Sequence, residues 1–137
     1  MKINLVLIVK NFKSFSPLIC FSVKSNTNVN IIKEIKKFGL GADVVSKGEL
    51  MLALKAGVNP GKIVFSGVGK TNEEINFAIE KKILLINAES KSEIQEINKI
   101  AKQKRNMIKK LIIIVLFSIL LISCGKKGCP KYSTSDN

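Results

Sequence analysis

The 137-residue chain predicts an α/β fold in which short strands alternate with helices. Three observations predict it. Short apolar runs are centred near residues 20, 44, 64 and 85, about one every 20 residues. Each is followed by a stretch with helical spacing of its apolar residues. The links from run to helix (KSNTN, SKG, SGVGKT, AES) are polar, and two carry glycine. Strand-then-helix repeats of that length need parallel strands joined by crossover helices. Part of a (β/α)₈ barrel and a small doubly wound sheet both satisfy the pattern. In either, the links lie at the carboxyl end of the sheet, where sites are built.

In chain order, MKINLVLIV is too short to span a bilayer and reads as a strand or helix start. PLICFSVK is the first strand. NTNVNIIKEIKKFG follows as a helix, with Ile31, Ile32, Ile35 and Phe38 on one face and Gly39 placed to stop it. ADVVS is the second strand. KGELMLALKAG is a helix turning Leu50, Ala53 and Leu54 inward and ending at Gly57. NPGK is a turn, and KIVFSG is the third strand. TNEEINFAIEKK is a helix whose Thr71 and Glu74 have capping-box spacing. ILLINAES is the fourth strand, and SEIQEINKIAK is a helix capped by Ser90 or Ser92. The strands read as apolar on both faces, as in a sheet covered on both sides.

Composition narrows the function classes. The chain carries 23 Lys+Arg against 10 Asp+Glu, a formal charge of +13. Residues 1–106 hold 18 basic and 9 acidic residues, a net +9; residues 107–137 hold 5 and 1, a net +4. The lysines of 1–106 are scattered, with the single arginine Arg105 and few aromatics beside them, so no nucleic-acid partner is expected. There is no histidine, which excludes a histidine metal site, a Ser-His-Asp triad and a histidine base. Cys20 lies in an apolar run and reads as a small buried hydrophobe.

Lys24 ends the apolar run FSVK at the edge where barrel sites form. A lysine partly stripped of water there has a lowered pKa and an amine free for Schiff-base chemistry; a solvated strand-end lysine is the plain alternative. Asp43 and Glu49 stand at and after the second strand end and could face the same mouth. Equally, Glu49 is a first-turn acid favoured by the helix dipole, and Asp43 a capping group. SGVGKT, residues 66–71, ends like a phosphate loop, but Val64 stands where the first glycine belongs. It fails as a nucleotide signature, and keeps only the capacity of a glycine-rich turn to bind an anion through backbone N–H groups.

FSVKSN, GLGADVVSKGEL, LKAGVNPGKIVFSGVGKT and ILLINAES, within about residues 11–105, together resemble the fold-type III, pyridoxal-phosphate-dependent decarboxylases of the ornithine, diaminopimelate and arginine group. GADVVSKGEL and KIVFSGVGKT lean toward the diaminopimelate branch. The family's Tyr-Ala-Val-Lys-Ala-Asn motif stands here as Phe21-Ser22-Val23-Lys24-Ser25-Asn26. The resemblance implies that Lys24 is catalytic and holds pyridoxal 5'-phosphate, with Asp43 and Glu49 beside the cofactor. It implies an alanine-racemase-like barrel over 1–106, a partial (β/α)₈ TIM barrel of about four βα units. It implies decarboxylation of meso-2,6-diaminopimelate to L-lysine, a small amino-acid substrate, homodimers and a cytoplasmic setting. It also implies a truncated fragment, inactive alone. The family's cofactor-stacking histidine, its glycine-rich phosphate site and the glutamate pairing with the pyridine nitrogen have no counterpart in this sequence.

A second pattern starts at Met107. Met-Ile-Lys-Lys leads into LIIIVLFSILLIS and then Cys124-Gly125, the order of a bacterial lipoprotein signal. Leu121-Ile122-Ser123-Cys124 reads as its lipobox, with Cys124 the lipidated residue. CGKKGCPKY resembles the start of a small outer-membrane lipoprotein family, with Cys129 inserted before Pro130. The expectation is a hydrophobic signal-like helix over 107–123, able to touch a membrane through 108–123 but short for a full span. A short disordered polar tail, 124–137, follows. The alternative function is a membrane-tethered or lipid-anchored, non-catalytic α/β module.

Overall fold

A computed structural model describes residues 9–124, with the backbone alone at 13, 117 and 120–124. The readings of residues 1–8, of the lipobox side chains and of the tail 125–137 lie outside the described residues. The chain divides into two compact units, Met1–Ala101 and Lys102–Asn137.

In the first unit the elements run β1 (Cys20–Ser22), α1 (Val29–Lys37), β2 (Gly41–Val44), α2 (Lys47–Lys55), β3 (Ile63–Phe65), α3 (Asn72–Glu80), β4 (Leu85–Ile86) and the start of α4 (Lys91–Cys124). Each helix has a polar side chain on the backbone of its first turn. Asn28 Oδ1 accepts from the Asn30 N–H at 2.9 Å. Ser46 Oγ accepts from Glu49 at 3.2 Å, and Thr71 and Glu74 close a reciprocal capping box. Ser90, not Ser92, caps α4 by accepting from the Glu93 N–H at 3.1 Å. Gly39 and Gly57 follow α1 and α2 with φ of +80° and +81°, the left-handed turn that ends a helix.

The strands are all parallel, in the spatial order β1-β2-β3-β4. Right-handed crossovers taken always in the same direction put the connecting helices on one face of the sheet. That is barrel winding. A doubly wound sheet needs a reversal of strand order, and none occurs among the described strands. The register confirms which face is covered. Phe21, Ala42 and Ile63 share one side with Val44, Phe65 and Ile86. These residues, with Val23 and with Ile32, Leu50, Ala53 and Ala78 from the helices, form the core.

The opposite face corrects the expectation of strands apolar on both sides. It carries Cys20, Ser22, Gly41, Asp43, Val64 and Leu85. Asp43 and Ser22 are half-buried there, and Leu85 is 52% exposed. Helices cover one side only, so the other side takes polar residues near the carboxyl ends of the strands. Gly41 shows how close the backbones pass on this face. A methyl at its α-carbon would collide with the Lys62 carbonyl oxygen and come within 2.9 Å of Cys20 Sγ.

In the second unit the described residues are helical, as part of α4. The sequence reading separates a helix ending near residue 102 from another starting at Met107. Helical backbone runs through this boundary without a break. Ala101-Lys-Gln-Lys-Arg-Asn-Met-Ile contains no glycine or proline and consists mostly of strong helix formers, so nothing ends the helix there. Met107, Ile108, Ile119 and the six residues Leu111–Leu116 have exposed side chains. Among the described residues no helix is long and apolar enough to cross a membrane.

Candidate active site

The carboxyl ends of β1, β2 and β3 gather the residues that could do chemistry. β1 stops at Ser22 because the chain turns into a single 3-10 turn, Val23–Ser25. Val23 is fully buried and anchors this turn, and Ser25 Oγ closes it on the Ser22 carbonyl at 2.7 Å. Lys24 sits between these two fixed points, with its side chain exposed. Its amine makes no hydrogen bond or ion pair among the described residues. The turn packs against β2 and α2, which keeps Lys24 beside the neighbouring strand rather than at a remote surface.

Asp43 is opposite Ser22 in the register. Its Oδ1 accepts a hydrogen bond of 2.6 Å from Ser66 Oγ, in the residue just past β3. Ser22 Oγ is buried and has no hydrogen-bond partner among the described residues. The three side chains form a polar row across three strand ends. Burial, and then the charge of Asp43, push the Cys20 thiol above its ordinary pKa. That leaves a protonated thiol, in keeping with an inert cysteine.

Glu49 uses its carboxylate locally. Oε2 accepts from the Val45 N–H at 2.9 Å, across the link between β2 and α2. It is half-buried, and it makes no hydrogen bond or ion pair with Lys24 or Asp43 among the described residues. The arrangement thus brings Asp43 to the row containing Ser22, while Glu49 fixes the adjacent link.

Two further acids repeat the device over longer range. Glu74 accepts from the N–H groups of Thr71 and, 27 residues back, Lys47, each at 3.0 Å. The Thr71 N–H, aided by that of Lys47, holds its carboxyl below the usual range despite some burial. Glu93 accepts from the Glu89 N–H at 2.7 Å and from the Lys70 ammonium at 3.2 Å. The Glu89 N–H first, and Lys70 with it, lower the Glu93 pKa against the opposing effect of burial. Glu49, Glu74 and Glu93 are each the third residue of their helix. That common position is visible in the sequence, but the reach of Glu74 and Glu93 to an earlier link is not.

Lys70 leaves nothing free for a nucleotide. Its ammonium donates to the Gly67 and Asn87 carbonyls at 2.5 and 2.7 Å as well as to Glu93. Sequence reasoning missed Ser22 and Ser66. Their signal was a hydroxyl at the last residue of β1 and just past β3, the two strands that flank Asp43.

The chain is therefore an α/β protein with barrel winding and an unpaired lysine amine at the carboxyl end of its sheet. The family described as pyridoxal-dependent decarboxylase, pyridoxal binding domain, matches residues 5–127. The chain belongs to that family, whose cofactor is pyridoxal phosphate. It is 49% identical over 84 residues to the diaminopimelate decarboxylase of Aquifex aeolicus, covering 61% of this chain and 20% of that one. It is 48% identical over 91 residues to that of Helicobacter pylori J99, covering 66% and 22%. Among solved structures, diaminopimelate decarboxylase of H. pylori complexed with L-lysine matches with a TM-score of 0.70 and 44% identity, over 73% of this chain and 26% of that one. The M. jannaschii enzyme in co-complex with L-lysine matches with a TM-score of 0.72 and 40% identity, over 74% and 25%. The chain spans about a fifth to a quarter of the length of these relatives.

The residues present fit the aldehyde end of that cofactor. A primary amine with no partner among the described residues follows the end of β1, and Asp43 on the next strand keeps one carboxylate oxygen without a hydrogen bond among the described residues. The glycine-rich link 66–71 does not offer a phosphate cradle, because Glu93 occupies it.

Proposed function

We propose that residues 1–106 are the N-terminal, pyridoxal-phosphate-binding part of a diaminopimelate decarboxylase barrel. Lys24 is the residue that binds the cofactor covalently. The observation that carries this reading is the unpaired Lys24 amine on a turn held by Val23 and Ser25. When bound, pyridoxal phosphate supplies an electron sink for loss of CO₂ from an amino acid. Asp43, at the end of the next strand, is the acid assigned to the cofactor's surroundings, and Ser66 fixes the orientation of its carboxylate. Glu49 acts at one remove, by holding Val45 and the start of α2. The substrate on this reading is meso-2,6-diaminopimelate and the product L-lysine, formed in the cytoplasm by a homodimer whose remaining barrel this chain does not contain.

Incubation of the full chain with pyridoxal phosphate, then borohydride, tests the assignment by peptide mapping. A pyridoxyl label on Lys24, absent from Lys24→Ala, is the expected result. Label spread over surface lysines without preference for Lys24 would end the reading.

A second reading concerns residues 107–137. We infer that 107–123 is a lipoprotein-signal-like helix followed by a polar tail, that Cys124 accepts lipid, and that 108–123 contacts the membrane. Its support is the run of exposed apolar side chains after the basic residues Lys102, Lys104 and Arg105. Such a tether would make the chain a lipid-anchored, non-catalytic module. Labelled palmitate on the expressed chain, lost in Cys124→Ala, is the expected outcome; no label refutes it.

A further inference from the structure

We propose that the SGVGKT link is an anion-binding nest whose anion is the chain's own Glu93. The link supplies one backbone N–H and the ammonium of Lys70, and the Glu89 N–H completes the set. Gly67 and Gly69 take φ of +91° and +69°, which bends the backbone around the site. The Lys70 N–H points at Glu93 Oε1 at 3.4 Å and the Lys70 ammonium at 3.2 Å. The Glu89 N–H reaches Oε2 at 2.7 Å. The Lys70 and Glu93 side chains are only 2% and 9% exposed. A carboxylate supplied by the first turn of α4 therefore occupies the place where a phosphate-loop motif would receive an external oxyanion.

The nest opens into a cavity of about 620 Å³ lined by Gly69, Lys70, Asn72, Ser90, Ser92 and Glu93, among others. The space exceeds what a phosphate needs once the Glu93 side chain is gone. Two other acids line it, and both are engaged. Glu96 pairs with Lys99 at 3.3 Å, and Glu89 accepts from Asn87 Nδ2 at 3.2 Å. Removing Glu93 strands one ammonium proton and two backbone N–H groups, and stranded buried donors favour an external anion in its place. In the intact chain Glu93 is an intramolecular plug that excludes external oxyanions and ties the start of α4 to the β3–α3 link.

The test is thermal unfolding of the full chain in sodium phosphate, in sodium acetate and in sodium chloride at matched ionic strength. Wild type is expected to show the same midpoint in all three. Glu93→Ala is expected to gain stability in phosphate, saturating in the millimolar range, and to be rescued in part by acetate, which replaces the deleted carboxylate. The double variant Lys70→Met/Glu93→Ala is expected to lose both responses. A Glu93→Ala midpoint that ignores phosphate and acetate, or a double variant that still responds, overturns the proposal. If Glu93→Ala folds only when phosphate is added, the nest is supported. If it folds in no salt, Glu93→Gln decides. The amide keeps the shape but must set its NH2 against either the Glu89 N–H or the Lys70 donors, so its midpoint in chloride should fall well below wild type at neutral pH, and an unchanged midpoint overturns the nest.

Discussion

Glu74, in the first turn of α3, accepts a 3.0 Å hydrogen bond from the backbone N–H of Lys47, in the first turn of α2. The same carboxylate closes the capping box with Thr71, so a single side chain serves the starts of two helices. Loss of a cap costs about 1 kcal/mol, and a charge-assisted bond to a second backbone donor adds about as much. Glu74→Ala should therefore lower the unfolding free energy by about 2 kcal/mol, and Thr71→Ala by about 1 kcal/mol. Denaturant titrations of both variants check this. Equal losses would mean that the Lys47 contact contributes nothing.

The acid limb of stability follows from the same carboxylates. Glu74 and Glu93 both have folded pKa values below their ordinary ones, held there first by the N–H groups of Thr71 and Glu89 respectively. A depressed carboxyl pKa contributes stability that is fully present above the unfolded value. It is lost as pH falls through the folded value, because the unfolded chain then binds more protons. The thermal midpoint should be level near neutrality and begin to fall below about pH 4.5, the region of free glutamate. Glu93→Gln should flatten that fall. A Glu93→Gln profile parallel to wild type would show that this carboxylate is not among the groups that titrate on unfolding.

Much of this architecture was legible before any coordinates. The strand spacing and the helix boundaries follow from Thr71, Glu74, Gly39 and Gly57, whose local chemistry works within a few residues. The role proposed for Lys24 rests on a motif of six residues. The rest depends on contacts 20 to 27 residues apart, such as Lys47 with Glu74 and Lys70 with Glu93, and no local pattern records these. The polar row on the open face was hidden for a different reason. Val64 and Leu85 made those strands read as apolar throughout, whereas the pleat alternates Ser22 and Asp43 onto the side away from the helices. The helix runs on through Met107 because residues 101–108 hold no glycine or proline to stop it, although a second sequence pattern starts there.

Gly41 and Gly48 offer a contrast between two glycines 7 residues apart. At Gly41 an added methyl meets the Lys62 carbonyl oxygen, an atom of a neighbouring backbone, and Cys20 Sγ. Strands this close must part for it, at about 3 kcal/mol. At Gly48, in the first turn of α2, the nearest atom is Ser46 Oγ at 3.8 Å, and alanine is the better helix former by about 1 kcal/mol. Gly41→Ala should destabilise strongly and Gly48→Ala should stabilise slightly. Unfolding midpoints of the two variants side by side test the register; a harmless Gly41→Ala would mean that β1, β2 and the Lys62 carbonyl are not packed as described.

Lys82 carries the last prediction. α1 and α2 are followed by glycines in the left-handed region, but the turn after α3 places Lys82 there, at φ +54°. Its N–H still donates to the Ile79 carbonyl at 3.1 Å, so the turn does the same work as the other two. A side chain bearing a β-carbon costs about 1 kcal/mol or more in that conformation. Glycine removes the cost and returns part of it as extra freedom of the unfolded chain. Lys82→Gly should therefore raise stability by about 0.5 kcal/mol, and Lys82→Val, with a branched β-carbon, should lower it by more than 1 kcal/mol. The cation–π contacts on Phe77 belong to Lys47 and to the neighbouring Lys81, and neither involves Lys82. Equal stability of the glycine and valine variants would show that the backbone at residue 82 does not adopt the left-handed turn.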